Sequence, residues 1–84
     1  MSKTLADLTE ELIAFRDARD WRRFHSLKNL IMSVGIESGE LLELTQWHDD
    51  EAVEAAIDDP EFRERLAEEC ADVLIYLLLI AERA

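Results

Sequence analysis

The chain has 84 residues, 49% of them hydrophobic, with two Gly and one Pro. That composition excludes a disordered tail and argues against an all-β design, and the length allows at most one small domain. The formal net charge of −11 argues against a nucleic-acid duplex or an anionic membrane surface as partner, because nothing would neutralise such a phosphate array.

The chain opens without an apolar leader, so no signal peptide is expected. A first helix is predicted over Thr4–Ala18. Leu5, Leu8, Leu12 and Phe15 recur at three and four, and Glu10, Glu11 and Arg16 are assigned to the other face. Asp17–Arg23 is a charged junction that carries Trp21 and reads as a turn or a helix restart. A second helix is predicted from Phe24 or Ser26 to Trp47. Gly35 and Gly39 interrupt it, each costing about 1 kcal/mol relative to Ala. Two explanations stand for them: room for a ligand near Glu37, or a small-residue notch for a neighbouring helix.

His48–Asp59 is an acidic connection in which Asp49 or Asp50 caps a short helix through Ile57. Asp59-Pro60 then starts the last helix, with Asp at the N-cap and Pro at the first helical position, and the pattern runs to Arg83. Within it Val73–Ala81 is the most apolar run, too short to span a bilayer. Cys70 is the single cysteine. It allows no intrachain disulfide, points to a reducing, cytoplasmic setting, and is expected to be a small core residue. The fold class is all-α. The two long helices should form a hairpin with the first helix across it, and a second copy should complete the core that so short a chain cannot close alone.

Chemistry enters through acids in apolar seams. Leu27, Leu30, Val34, Glu37, Leu41 and Leu44 form one seam, and Phe62, Leu66, Glu69, Val73, Tyr76 and Ile80 form the other. Each seam holds one carboxylate, and each carboxylate has a second acid three residues on, at Glu40 and Asp72. Residues three apart share a helix face, so Glu37, Glu40, Glu69 and Asp72 can supply hard oxygen ligands for Mg²⁺ or Mn²⁺. Zinc is disfavoured, because Cys70, His25 and His48 form no recognisable ligand spacing. Without a cation the four acids would repel one another and raise their own pKa values.

The order Glu37-x-x-Glu40, spacer, Glu69-x-x-Asp72 resembles the MazG-like all-α nucleoside triphosphate pyrophosphohydrolases. Further elements are similar to the family's dCTP pyrophosphatase branch: Arg19-Asp20-Trp21, Phe24-His25, Asn29-Leu30, Gly39-Glu40-Leu41, Gln46-Trp47 and Asp72–Leu77. They recur in order over Arg19–Ile80. The resemblance implies a helical bundle of the MazG type, with residues 1–84 as a single domain, a homodimer or a tetramer of two dimers. It also implies a further C-terminal helix beyond the position of Ala84.

The implied reaction is attack of water on the α-phosphorus of a nucleoside triphosphate, giving the monophosphate and pyrophosphate. The implied metal ligands are Glu37, Glu40, Glu69 and Asp72. Glu37 or Glu40 is the candidate base, and Trp21, His25, Asn29, Trp47 and Tyr76 are the nucleotide contacts. The expected substrate is dCTP or a related deoxynucleotide, hydrolysed to clean the nucleotide pool. The alternatives are dUTP, phosphoribosyl-ATP, or a non-catalytic helical module that binds metal.

Overall fold

Thr4 opens the first helix with a reciprocal cap. Its hydroxyl accepts from the Asp7 amide at 3.1 Å, and the Asp7 carboxylate accepts from the Thr4 amide at 3.0 Å, satisfying two amides that the helix leaves orphaned. In the computed structural model, which describes residues 2–84, this helix is α1, Leu5–Ala18. It closes in a Schellman motif. The Trp21 and Asp20 amides donate back to the Arg16 and Asp17 carbonyls, both at 3.1 Å, while Asp20 sits in the left-handed region with φ 54°. The hydrophobic contact typical of this motif is an edge-to-face pair, Phe15 and Trp21, with ring centroids 5.5 Å apart.

The charged junction restarts as a 3₁₀ turn, Arg22–Phe24. Ser26, one of the two expected starts, then caps α2, Leu27–Glu43, by accepting from the Asn29 amide at 3.1 Å. Helix α2 ends before Trp47, contrary to expectation. Leu44 is buried and anchors the chain, and the Leu42 carbonyl accepts from the Gln46 and Thr45 amides, both at 3.0 Å, and from the Thr45 hydroxyl at 3.4 Å. The three-residue bond from Thr45 tightens the helix end, and Thr45–Trp47 continue as turns. Asp49, not Asp50, caps α3, Asp50–Ala56, which stops one residue short of Ile57. Asp59 and Pro60 start α4, Pro60–Arg83, where they were expected to.

Helix α2 packs chiefly on α4, and α1 also packs on α4, which is the expected hairpin with a helix across it. Among the described residues no strand forms, and no helix is long and apolar enough to cross a membrane. The buried apolar core is small: Leu30, Leu44 and Leu79. Ile31, Met32 and Ile36 on α2, and Leu74 and Leu77 on α4, stay exposed. The radius of gyration is 15.2 Å, against about 12 Å for a compact chain of this length.

Two side-chain expectations need correction, and the two glycines keep both of their readings. Cys70 is exposed rather than part of the core, because it points away from the α2–α4 seam. Arg16 is not on the solvent face: it is 3% exposed, held under the end of α1 by carboxylates. Gly35 and Gly39 leave open space within this chain, since a Cβ at either would meet nothing within 4 Å.

Candidate metal centre and nucleotide pocket

The seam between α2 and α4 brings an acid from each helix face to face. Glu37 and Glu40 come from α2 and Glu69 from α4, and one carboxylate oxygen of each lies within 4.8 Å of the others. Packing forces this meeting, because Glu37 and Glu69 hold seam positions between apolar residues. Glu37 and Glu69 are half-buried, and Glu40 is exposed at the rim. One oxygen of Glu37 and one of Glu69 are fully buried without a hydrogen-bond partner.

An unpartnered buried carboxylate oxygen is costly unless a cation meets it. Burial, then the nearness of Glu40, then Asp72 and Glu69, hold the Glu37 pKa above its ordinary value. Glu69 is raised first by burial and then by Glu40 and Asp72, with Arg65 opposing weakly. All donors are hard oxygens, and a positive charge would satisfy the two orphaned ones. The donor set therefore fits a divalent cation. Asp72 is half-buried outside this trio, close enough to raise both neighbours.

Beside the acids, between α1, the 3₁₀ turn and α4, lies a cavity of about 400 Å³. Glu37 and Asp72 line its acidic wall. Trp21, His25, Tyr76 and Arg16 line it as well, with Tyr76 one turn along α4 from Asp72, and Leu12, Phe15, Ile75 and Leu79 complete the lining. Trp21 is steadied by Phe15 and by Arg19, whose guanidinium lies 3.5 Å over the Phe15 ring and 5.7 Å from the Trp21 ring. Burial, aided by the Arg16 charge, lowers the His25 pKa, and its buried Nδ1 has no partner. Both burial and the nearby guanidinium disfavour the charged form of the ring.

Three of the five expected nucleotide contacts, Trp21, His25 and Tyr76, share this cavity with Glu37. The other two do not line it. Asn29 is exposed and donates from Nδ2 to the Phe24 carbonyl at 3.4 Å. Trp47, in the turns after α2, is 85% exposed. Arg16 was missed, although its spacing of four from Leu12 and eight from Leu8 puts it on the buried stripe of α1. A charged residue on an apolar stripe is the signal that also marked Glu37 and Glu69.

Residues 32–84 match the MazG-like family. Over 80 residues, 95% of the chain, the sequence is 41% identical to dCTP pyrophosphatase 1 of Bos taurus and to that of Homo sapiens. The chain spans about half, 47%, of each of these relatives. A solved pyrophosphatase from Archaeoglobus fulgidus superposes with a TM-score of 0.85 at 36% identity, covering 98% of this chain and 75% of that one. The family match, covering more than half of the chain and including all four candidate acids, agrees with the all-helical fold: the chain belongs to the MazG-like family.

Proposed function

We propose that the chain is a Mg²⁺-dependent pyrophosphohydrolase of nucleoside triphosphates, with dCTP or a related deoxynucleotide as substrate, acting in the cytoplasm. The observation that carries this reading is the convergence of Glu37, Glu40 and Glu69 beside a cavity lined by Trp21, His25 and Tyr76. The likeness to dCTP pyrophosphatase 1 supports the choice of base.

Glu37, Glu40 and Glu69 would hold Mg²⁺, with Asp72 adjoining. When bound, Mg²⁺ supplies charge neutralisation for the polyphosphate and a more acidic water. The rest falls to the chain's own groups. Water attacks the α-phosphorus, a new P–O bond forms, and the bond to the bridging oxygen breaks to release pyrophosphate. A carboxylate must take the proton of that water. Glu37 and Glu40 are the candidates, and Glu37 is favoured because it belongs both to the acid cluster and to the cavity wall. Trp21 presents a ring face for stacking on the base, while His25 and the Tyr76 hydroxyl offer polar groups for its edge. Burial of the base between such walls orients the triphosphate toward the acids.

The functional molecule in this reading is a homodimer, or a tetramer of two dimers. A second copy would cover Ile31, Met32 and Ile36 on α2 and Leu74 and Leu77 on α4, all exposed in the single chain.

The test is pyrophosphate release from a panel of deoxynucleoside and ribonucleoside triphosphates, with phosphoribosyl-ATP included, with and without Mg²⁺. Mg²⁺-dependent release with the monophosphate as co-product, fastest for dCTP, is the expected result. Faster release from dUTP or phosphoribosyl-ATP would keep the reaction and reassign the pocket. No release from a folded protein that still binds Mg²⁺ would mean either a non-catalytic helical module or that turnover needs the further C-terminal helix the resemblance implies.

A further inference from the structure

The last turn of α4 holds both ends of the segment that carries Trp21 and His25. On one side Arg16, at the end of α1, donates from Nη1 to Glu82 Oε2 at 3.1 Å and from Nε to Asp17 Oδ1 at 3.0 Å. On the other side Arg83 Nη1 donates to the His25 carbonyl at 2.6 Å. Glu82 and Arg83 are sequence neighbours, so one helical turn grips the chain before the Schellman close and after the 3₁₀ turn. The only long-range side-chain hydrogen bonds among the described residues are these two, spanning 66 and 58 residues.

Arg16 is also the single buried charged residue among the described ones. A buried guanidinium is tolerated only where carboxylates replace its water, and its planar fork restricts the geometry in which they can do so. Asp17 and Glu82 together offset its charge, and they raise its pKa, Asp17 first. An arginine so occupied is poorly disposed to grip a phosphate. It is well disposed to hold helices together.

We propose that Arg16 is a positioning residue of the pocket: through Glu82 it fixes the Trp21–His25 segment opposite Glu37 and Asp72 at the separation a nucleotide needs. This rests on the nucleotide reading above. The charged groups around His25 are Arg16 from α1, Arg83 on its carbonyl from α4, and Glu37 and Asp72 across the cavity from α2 and α4. Releasing Arg16 or Glu82 frees the α1 end of the segment, leaves only the Arg83 bond to the His25 carbonyl, and lets Trp21 and the His25 ring become more exposed.

The experiment compares the full chain with Arg16→Met, Glu82→Gln, the double variant and Arg16→Lys. The double variant replaces the ion pair as a whole, leaves no unpaired buried charge, and so keeps a folded protein in the series. Two readouts are taken: KM and kcat on the nucleotide the wild type hydrolyses best, and the His25 titration midpoint by proton NMR. The second readout needs no substrate.

Either single substitution should raise KM about tenfold, from misplaced walls rather than lost chemistry, with kcat within about threefold. The double variant should be no worse than the singles, and Arg16→Lys should recover part of the loss. The His25 midpoint should rise toward its ordinary range in Glu82→Gln. Removing a negative charge would move it the other way, so a rise can come only from release of the segment. The proposal is overturned if Arg16→Met raises KM while Glu82→Gln leaves it unchanged, since Arg16 would then touch the substrate. It is equally overturned if the variants lower the melting temperature but leave KM and the His25 midpoint alone. Should the wild type hydrolyse no nucleotide, the functional reading fails by itself, and the His25 midpoint still decides whether Arg16 sets the segment.

Discussion

Glu69 is the residue whose surroundings most plainly ask for a cation: half-buried, one oxygen orphaned, with two other carboxylates in reach. The raised pKa values of Glu37 and Glu69 mean that the native chain binds protons more tightly than the unfolded one. Metal-free stability should therefore fall as pH rises above the ordinary carboxylate value of 4.5, and the whole loss is present above the raised native values. Thermal melts with EDTA and with Mg²⁺ across this range check it, and Mg²⁺ should flatten the slope. Glu69→Gln removes one repelling charge at constant shape. It should raise the metal-free melting temperature, shrink the Mg²⁺ response, and cut pyrophosphate release at least about a hundredfold. His25 works in the opposite sense. Its native pKa lies below 6.5, so the unfolded chain holds the extra proton, and stability is lost as pH falls through 6.5 toward the native value. His25→Gln should abolish that part of the pH slope. The acids at Glu37 and Glu69 were legible in the sequence because a charge interrupted an apolar period. Arg16 carried the same signal, but an arginine followed by an aspartate in a charged stretch is easily assigned to the wet face. Only its carboxylate partners, one of them 66 residues away, explain why it is inside.

The elements were readable wherever a short-range cap decides them. Asp59-Pro60 and the Thr4–Asp7 pair are local, so the starts of α4 and α1 follow from a few adjacent residues. The end of α2 is less local, because burial of Leu44 depends on what packs there. The close of α1 is also a tertiary matter. Asp20 accepts a left-handed backbone to bring Trp21 against Phe15, a conformation that costs a non-glycine residue about 1 kcal/mol or more. Asp20→Gly should thus stabilise the chain by up to about 1 kcal/mol in denaturant melts, the Arg23–Asp20 ion pair being exposed and of little weight. Gly35 and Gly39 give a sharper test. Within one chain neither meets a neighbour, so Gly35→Ala should stabilise α2 by about 1 kcal/mol. If a second copy uses that open face, the same change will instead weaken association, and melts at two protein concentrations separate the cases.

At the scale of the molecule, only three apolar residues are buried among the described ones, and many large apolar side chains stay exposed around a long outline. The proposed assembly would cover them. Sedimentation equilibrium should give at least twice the chain mass of 9.7 kDa, and Ile36→Asp should shift the population toward monomer or unfold it. A folded 9.7 kDa species at micromolar concentration would contradict the assembly. By itself the sequence determined that the protein is helical, where most helices begin, and that Glu37 and Glu69 interrupt apolar seams, because period, capping and charge placement are local properties of the chain; of the four acids expected to converge, the structure brings Glu37, Glu40 and Glu69 together and leaves Asp72 beside them. Tertiary structure decided the rest. It brought Trp21, His25 and Tyr76 to one cavity, left Asn29 and Trp47 outside it, and buried Arg16 while exposing Cys70. Those outcomes depend on which helix faces which, and that is set by packing between residues far apart in the chain.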